Sequence, residues 1–82
     1  MRNSVAERSA EKRLQLASYA EALRLKPDHL GALEYQGELF LELGDLSKAE
    51  TNLNRLGTLC GRCESYEDLA QTITAYKAKP KS

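Results

Sequence analysis

Two cysteines separated by two residues, Cys60 and Cys63, carry the most distinctive chemistry in this sequence. In an oxidising compartment such a pair can form a disulfide, which in the chain-entropy model stabilises a fold by about 2 kcal/mol for so short a loop. In the cytosol the same spacing supplies two of the four ligands of a tetrahedral zinc site. A redox-active dithiol is the third alternative, although the strand-then-helix context of thioredoxin-like folds is not predicted here.

The only histidine, His29, extends the metal hypothesis. Alone it would be an ordinary residue at the start of a helix. If the helices predicted below alternate in direction, His29 lies at the same end of the bundle as Cys60 and Cys63. Imidazole and thiolate ligands together suit zinc or copper. The sequence therefore leaves a zinc or copper site open beside the disulfide; no other cofactor is predicted.

A second feature is a row of carboxylates at every fourth position, Glu34, Glu38 and Glu42, with Tyr35 beside them. Charged residues at this spacing share one face of a helix, and such a face is usually solvated.

Signatures of catalysis are absent from the sequence, which contains no glycine-rich phosphate loop, no Gly-x-Ser-x-Gly elbow and no His-Glu-x-x-His motif. We therefore expect a protein that is not an enzyme.

Length and charge set the remaining bounds. The chain has 82 residues, enough for one domain, and its 12 Lys and Arg balance 12 Asp and Glu. A net charge of zero argues against a nucleic-acid partner. No apolar run approaches the roughly 20 residues that span a bilayer, and no signal-peptide core is present at the N-terminus, so the sequence by itself predicts a soluble, cytoplasmic protein.

Four helices are predicted to position these side chains, over residues 4–26, 29–43, 46–59 and 66–78, followed by a basic tail at 79–82. The first helix begins with a Ser4–Glu7 capping box and ends before Pro27, after which Asp28 is expected to cap the second. A Ser65–Asp68 capping box opens the fourth. The first helix is expected to present an apolar face, traced by Ala6, Ala10, Leu14, Leu16, Ala17, Tyr19, Ala20 and Leu23.

The second and third helices are predicted to form an antiparallel hairpin, because Gly44 ends one and Asp45 caps the next. Gly37 lies inside a helix at a cost of about 1 kcal/mol relative to Ala, which indicates a place where a neighbouring helix approaches closely. Leu69, Ile73 and Tyr76 of the fourth helix are expected to cover the end of the hairpin. The predicted hairpin contacts are Leu33, Gly37, Phe40, Leu46, Ala49, Leu53 and Leu56.

These positions carry a family resemblance. The chain resembles one and a half tetratricopeptide repeats plus a capping helix, with Pro27 at the end of the preceding half-repeat. It departs from the repeat pattern at Leu33, where an aromatic residue is commoner, at Gln36, where Leu is usual, and at Gly61, where Pro often occurs. The residues at the spacing of the repeat are Leu33, Gly37, Phe40, Gly44, Leu46, Ala49 and Leu53.

A narrower resemblance covers roughly Tyr19 to Lys77, including the Cys60 and Cys63 pair. This stretch looks like the C-terminal part of short bacterial repeat proteins that are usually exported to the periplasm. The resemblance implies a leader and further repeats ahead of this segment. It thus implies a periplasmic location if a leader has been removed, in contrast to the cytoplasmic location predicted from the residues alone.

The resemblance also gives the acidic helix a function. In tetratricopeptide arrays the first helix of each repeat lines the concave binding surface, so Glu34, Tyr35, Glu38, Leu41 and Glu42 are predicted to contact a protein or peptide with a basic segment. One and a half repeats are fewer than the three or more that usually give independent stability. We therefore expect a self-associating scaffold, in which a second copy covers the first helix. The alternative is a small metal-binding or redox protein that uses the two cysteines.

Overall fold

The computed structural model describes the backbone of residues 2–78 and the side chains of residues 10–78, and it is all-α, as predicted. Within residues 2–78 no helix combines the length and apolar character that crossing a bilayer requires. The first helix already includes Ser4, so its predicted start at the Ser4–Glu7 capping box is not the observed one, and the basic tail at 79–82 lies outside the described residues. The four helices are α1 (Arg2–Leu25), α2 (Leu30–Glu42), α3 (Leu46–Cys60) and α4 (Glu64–Ala78).

The turn between α2 and α3 forms as the sequence predicts. Gly44 has φ of 83°, a left-handed conformation that only glycine adopts without strain. The Asp45 amide donates to the Phe40 carbonyl at 2.7 Å and the Gly44 amide to the Leu41 carbonyl at 3.0 Å, the bonding pattern of a Schellman motif. Asp45 Oδ1 then accepts from the Lys48 amide at 3.2 Å and caps α3.

Two other helix starts differ from the prediction. His29, not Asp28, caps α2, because its Nδ1 accepts the Ala32 amide hydrogen at 3.1 Å. A neutral imidazole has one acceptor nitrogen and can replace the carboxylate in this role. Helix α4 begins at Glu64, with the Cys63 carbonyl accepting from the Glu67 amide at 2.9 Å. Ser65 therefore lies inside the first turn of α4 and is not its cap.

Helix α2 is the centre of the fold, since it packs against α1, α3 and α4. Helix α4 covers both members of the α2–α3 hairpin, whereas α1 contacts α2 alone within residues 2–78. The hairpin contacts predicted from the sequence supply much of the core, with Phe40, Leu46 and Leu53 partly buried around it. The central cluster of buried residues consists of Leu33, Leu41, Ala49, Leu56, Leu69 and Ile73.

Gly37 is the point of closest approach between α2 and α4. A Cβ atom at this position would lie 2.7 Å from Cδ2 and 2.9 Å from Cδ1 of Leu69. Real Cβ atoms do not come so close, so the fully buried Leu69 side chain occupies the space that the missing methyl group leaves. The predicted role of Gly37 thus holds, and the helix that comes close is α4.

A pair of buried amides links α2 and α3. Asn52 Nδ2 donates to Gln36 Oε1 at 2.8 Å and to the Leu33 carbonyl at 3.1 Å. Both side chains are at most 9% exposed, and among the described residues no buried side-chain nitrogen or oxygen lacks a partner. Because each amide would be costly to bury alone, this pair fixes which positions of the two helices face each other.

Helix α1 has two apolar sides rather than the single face expected. At about 100° per residue, Leu16, Tyr19 and Leu23 lie on the side that faces α2, and Ala10, Leu14 and Ala17 lie nearly opposite. The first set is partly buried. Leu14 is 69% exposed and Leu25, on the same side, is 70% exposed. No residue among 10–25 is fully buried, so the side of α1 that carries Leu14 and Leu25 is uncovered in the described part of the chain.

Gly37→Ala is expected to destabilise the protein despite the better helix propensity of alanine. The new methyl group has to displace Leu69 from a packed core, at 1–3 kcal/mol for typical overpacking, and propensity offsets about 1 kcal/mol of that loss. A net loss of about 1 kcal/mol in the free energy of unfolding should appear in urea denaturation. Gly31→Ala is the matched control, because its Cβ would lie 3.4 Å from the His29 ring, an ordinary contact; an equal effect of both changes would contradict the assignment.

Candidate functional site: an acidic groove between two helices

An open groove of about 600 Å³ lies between α2 and α4 in the described part of the chain. The α2 side of the groove is acidic and the α4 side carries an aromatic ring. No Lys, Arg or His is among the residues that line it, so a bound molecule would meet carboxylates, methyl groups and the ring. The lining residues of this α2/α4 groove are Glu38, Leu41, Glu42, Gly44, Thr72, Ala75 and Tyr76.

Glu38 lies at the centre of the acidic side. Its partial burial raises the pKa of its carboxyl above the ordinary value, because burial disfavours the charged form. The neighbouring carboxylates of Glu34, Asp68 and Glu42 raise that pKa further. Among the described residues no Lys, Arg or His forms an ion pair with Glu38. The groove therefore presents negative charge that the described part of the chain does not neutralise.

Glu34 extends the negative charge one turn toward the start of α4. Partial burial raises the pKa of its carboxyl, a hydrogen bond from Ser65 lowers it, and the charges of Asp68 and Glu64 raise it. Ser65, predicted to cap α4, thus lies beside Glu34 instead. Glu34, Glu38, Glu64 and Asp68 form an acidic cluster across the α2–α4 contact.

The other predicted binding residues on α2 turn toward α1 or toward the core. The Tyr35 ring is stacked on that of Tyr19, with ring centres 6.1 Å apart and planes inclined by 29°, and Tyr35 stays 51% exposed. Glu42 pairs with Lys12 at 3.3 Å. Leu41 is only 5% exposed and belongs to the core, so it contributes a patch of the groove floor rather than a contact side chain.

Helix α4 supplies the half of the groove that the sequence did not indicate. Tyr76, expected to cover the hairpin, is 37% exposed and lines the groove, while Leu69 and Ile73 are buried as predicted. Thr72 and Ala75, which also line the groove, have small side chains that carry no motif. Their spacing from Leu69 and Ile73 along α4 would have indicated the face next to the buried one, and nothing in the sequence showed that this face meets α2.

Cys60 and Cys63 form a disulfide, with Cα atoms 5.6 Å apart. Cys60 is the last residue of α3 and Cys63 immediately precedes α4, so the bond closes the joint between the two helices. Arg62, inside the loop, donates through Nε to Glu67 Oε2 at 2.8 Å, and its guanidinium carbon lies 5.9 Å from the centre of the Tyr66 ring. Of the three alternatives for the cysteine pair, the structure has the disulfide.

The structure does not place His29, Cys60 and Cys63 as ligands of one metal ion. His29 uses Nδ1 to accept the Ala32 amide, and sulfur atoms joined in a disulfide are not thiolate ligands. Among the described residues no group of three or more His, Cys, Asp or Glu side chains is placed to hold a metal ion. A zinc or copper site at Cys60 and Cys63 would need the reduced thiols and further ligands.

Comparison of the chain with protein-family models, with curated proteins and with solved structures finds no match. The functional interpretation therefore rests on the residues and their arrangement.

The raised pKa values of Glu34 and Glu38 predict how the stability of the protein changes with pH. Glu34→Gln/Glu38→Gln removes two carboxylates whose charge is disfavoured in the folded state, so the variant should unfold at higher urea concentration than the wild type at pH 7, by less than about 1 kcal/mol because both sites are partly solvated. The folded wild type holds protons on these groups above their ordinary pKa of 4.5. Its stability relative to the variant therefore recovers as the pH falls toward 4.5.

The measurement is urea denaturation of both proteins at several pH values between 7 and 4.5. Taking the difference between them removes the contribution of every other titrating group. Glu11→Gln, an exposed position on α1, is the control and should leave stability unchanged. An advantage of the double variant that does not shrink as the pH falls would contradict the argument.

Proposed function

We propose that this protein is a non-enzymatic interaction scaffold of the tetratricopeptide type, which binds a basic segment of a protein or peptide in the α2/α4 groove. The observation that carries the proposal is the acidic cluster, whose Glu34 and Glu38 carboxylates have raised pKa values and no cationic partner among the described residues. A Lys or Arg side chain placed there would offset the repulsion between the carboxylates.

The composition of the groove supports a peptide with both charged and apolar side chains. Leu41, Ala75 and the ring of Tyr76 offer apolar surface next to Glu38. Tyr35, one turn away on α2, is exposed but stacks on Tyr19 of α1 and lies outside the groove lining. Lys77 follows the groove residue Tyr76 in the sequence, but its ammonium group is paired with Glu50 of α3 at 2.8 Å.

The packing order supports the repeat-type architecture. The α2–α3 hairpin, the close α2–α4 approach at Gly37 and the cover that α4 provides to both hairpin helices are what stacking of helix pairs requires. Side-by-side α2 and α4 would then be the helices that line the binding surface. The disulfide supports the exported location implied by the narrower resemblance, because such bonds persist in oxidising compartments.

Charge reversal at the acidic cluster tests the binding function. Glu34→Lys/Glu38→Lys should weaken binding of a fluorescent basic peptide, such as a nonapeptide of alternating lysine and leucine, by at least about 10-fold, since each close charge reversal is worth about 1 kcal/mol or more. Fluorescence anisotropy at physiological salt is the measurement. The same nonapeptide with glutamate in place of lysine checks that binding depends on positive charge.

The matched control is Glu11→Lys/Asp28→Lys, which makes the same change in net charge at two exposed positions outside the groove and outside the described ion pairs. It should bind the lysine peptide about as the wild type does. Wild-type affinity in the Glu34→Lys/Glu38→Lys variant, or an equal loss in the control, would refute the groove as the binding site.

Self-association is the second part of the proposed scaffold. The outer side of α1 exposes Leu14 and Leu25 by 69% and 70%. A small chain that leaves such side chains uncovered on its longest helix gains from burying them against a second copy, because each large apolar side chain contributes about 1.5–3 kcal/mol when fully buried.

Leu14→Glu should therefore shift the protein toward the monomer, and static light scattering over the micromolar range will detect the change in mass. Leu59→Glu is the control, since Leu59 is a comparable exposed leucine, 44% accessible, on α3. Circular dichroism checks that both variants stay helical. A wild-type protein that is fully helical and monomeric throughout this range would contradict self-association.

A further inference from the structure

We propose that the Cys60–Cys63 disulfide is a redox lock that holds α4 against α2, so that reduction of this bond releases α4 and takes the α2/α4 groove apart. The inference rests on the proposed function for its consequence, and it concerns how that same groove is regulated. Three features support it: the position of the disulfide, the apolar contacts of α4 with the hairpin, and the repulsion between carboxylates of α2 and α4.

The bond lies at the one covalent connection between α4 and the hairpin. Only Gly61 and Arg62 separate Cys60 at the end of α3 from Cys63, and Gly61 turns the chain with φ of 65°. With the bond closed, α4 can leave the hairpin only within the narrow range of directions that the small ring allows. With the bond open, the undocked helix gains the freedom of a short flexible joint, which favours the undocked state.

Besides the disulfide, a small set of apolar side chains holds α4 against the hairpin. Leu69 fits over Gly37, Ile73 is 4% exposed, and the Tyr66 ring lies against Gly57, where a Cβ would be 3.2 Å from Cε2. Helix α4 touches α2 and α3 but not α1 in the described part of the chain. A helix that a short turn joins to the hairpin and that has two buried side chains is the kind of element that opens locally before the rest of a fold.

The acidic cluster works against docking. Asp68 and Glu64 of α4 face Glu34 and Glu38 of α2, so closing the α2–α4 contact brings like charges together. The one described ion pair from α4 to the hairpin is Lys77 with Glu50, which is solvent-exposed and therefore weak. Opening α4 relieves the repulsion. The apolar contacts and the disulfide together oppose it, and the disulfide is the contribution that a reductant can remove.

The chemical step is ordinary thiol–disulfide exchange with a dithiol. A thiolate of the dithiol attacks one sulfur of the Cys60–Cys63 bond, and the other sulfur leaves as a thiolate that takes up a proton. The second thiol of the dithiol then displaces the bound cysteine and closes its own disulfide. Two electrons and two protons pass from the dithiol to the protein, which ends with two free thiols.

Loss of α4 would remove one wall of the groove, since Thr72, Ala75 and Tyr76 all belong to α4. The coupling is reciprocal. A basic ligand that neutralises Glu38 and Asp68 favours the docked helix, and so it should also make the disulfide harder to reduce.

Hydrogen exchange followed by mass spectrometry on the full chain is the test, with the oxidised protein compared with the protein in excess dithiothreitol. In the chain-entropy model the bond is worth roughly 20-fold in the opening equilibrium of α4. We expect amides of α4 to exchange roughly 20-fold faster after reduction, while amides of the α2–α3 hairpin keep their protection. A Cys60→Ser/Cys63→Ser variant should match the reduced protein and should not respond to dithiothreitol.

Binding of the lysine–leucine nonapeptide is measured in parallel on the oxidised and reduced proteins, and a parallel fall in affinity supports the lock. Unchanged α4 exchange on reduction overturns it, as does uniform loss of protection over all four helices, which would make the disulfide a support of the whole fold. Faster α4 exchange with equal peptide binding in both redox states overturns regulation of the groove. A peptide that binds neither state refutes the proposed function, while the exchange data still decide whether α4 is released.

Discussion

The close approach of α4 to α2 at Gly37 is the contact on which the other features of this small protein depend. Leu69 can reach full burial only because position 37 has no side chain. With α4 seated there, the hairpin core is covered and the joint at Cys60 and Cys63 is brought to bonding distance. The same seating places two helices side by side with a groove between them, so one absent methyl group links the core of the fold to its candidate site.

Stability and function oppose each other across this contact. Apolar packing of Leu69 and Ile73 draws α4 onto α2, and the carboxylates that flank this packing repel one another. Carboxylates that served only to solvate the surface would be better placed apart or beside lysines, as Glu42 is beside Lys12. A cationic partner would account for the arrangement, because the carboxylates that repel one another in the free protein would then attract the ligand.

The local features were predictable from the sequence because each depends on residues close together in the chain. Helix type, the Gly44–Asp45 turn and the burial of Leu33 and Ala49 all follow from periodicity and turn chemistry. Gln36 stood out only as a departure from the repeat pattern. Its partner, Asn52, is 16 residues away, and a buried amide pair cannot be inferred until two helices are placed together.

The predictions that the structure corrects concern the caps of α2 and α4 and the apolar residues of α1. His29 caps α2 in place of Asp28, and Ser65 lies beside Glu34 inside the first turn of α4 instead of capping that helix. The apolar residues of α1 were assigned to one face, although the helical angle between Leu14 and Leu16 places them on different sides. Thr72, Ala75 and Tyr76 line the groove only because α4 packs against α2, which no short motif encodes.

A direct measure of the α2–α4 contact is nuclear Overhauser spectroscopy of the oxidised protein, with Leu69 methyl groups selectively labelled. The account predicts strong cross-peaks between these methyl groups and the α-protons of Gly37. A fully helical protein without those cross-peaks would contradict it, because α4 would then lie elsewhere and no groove would form.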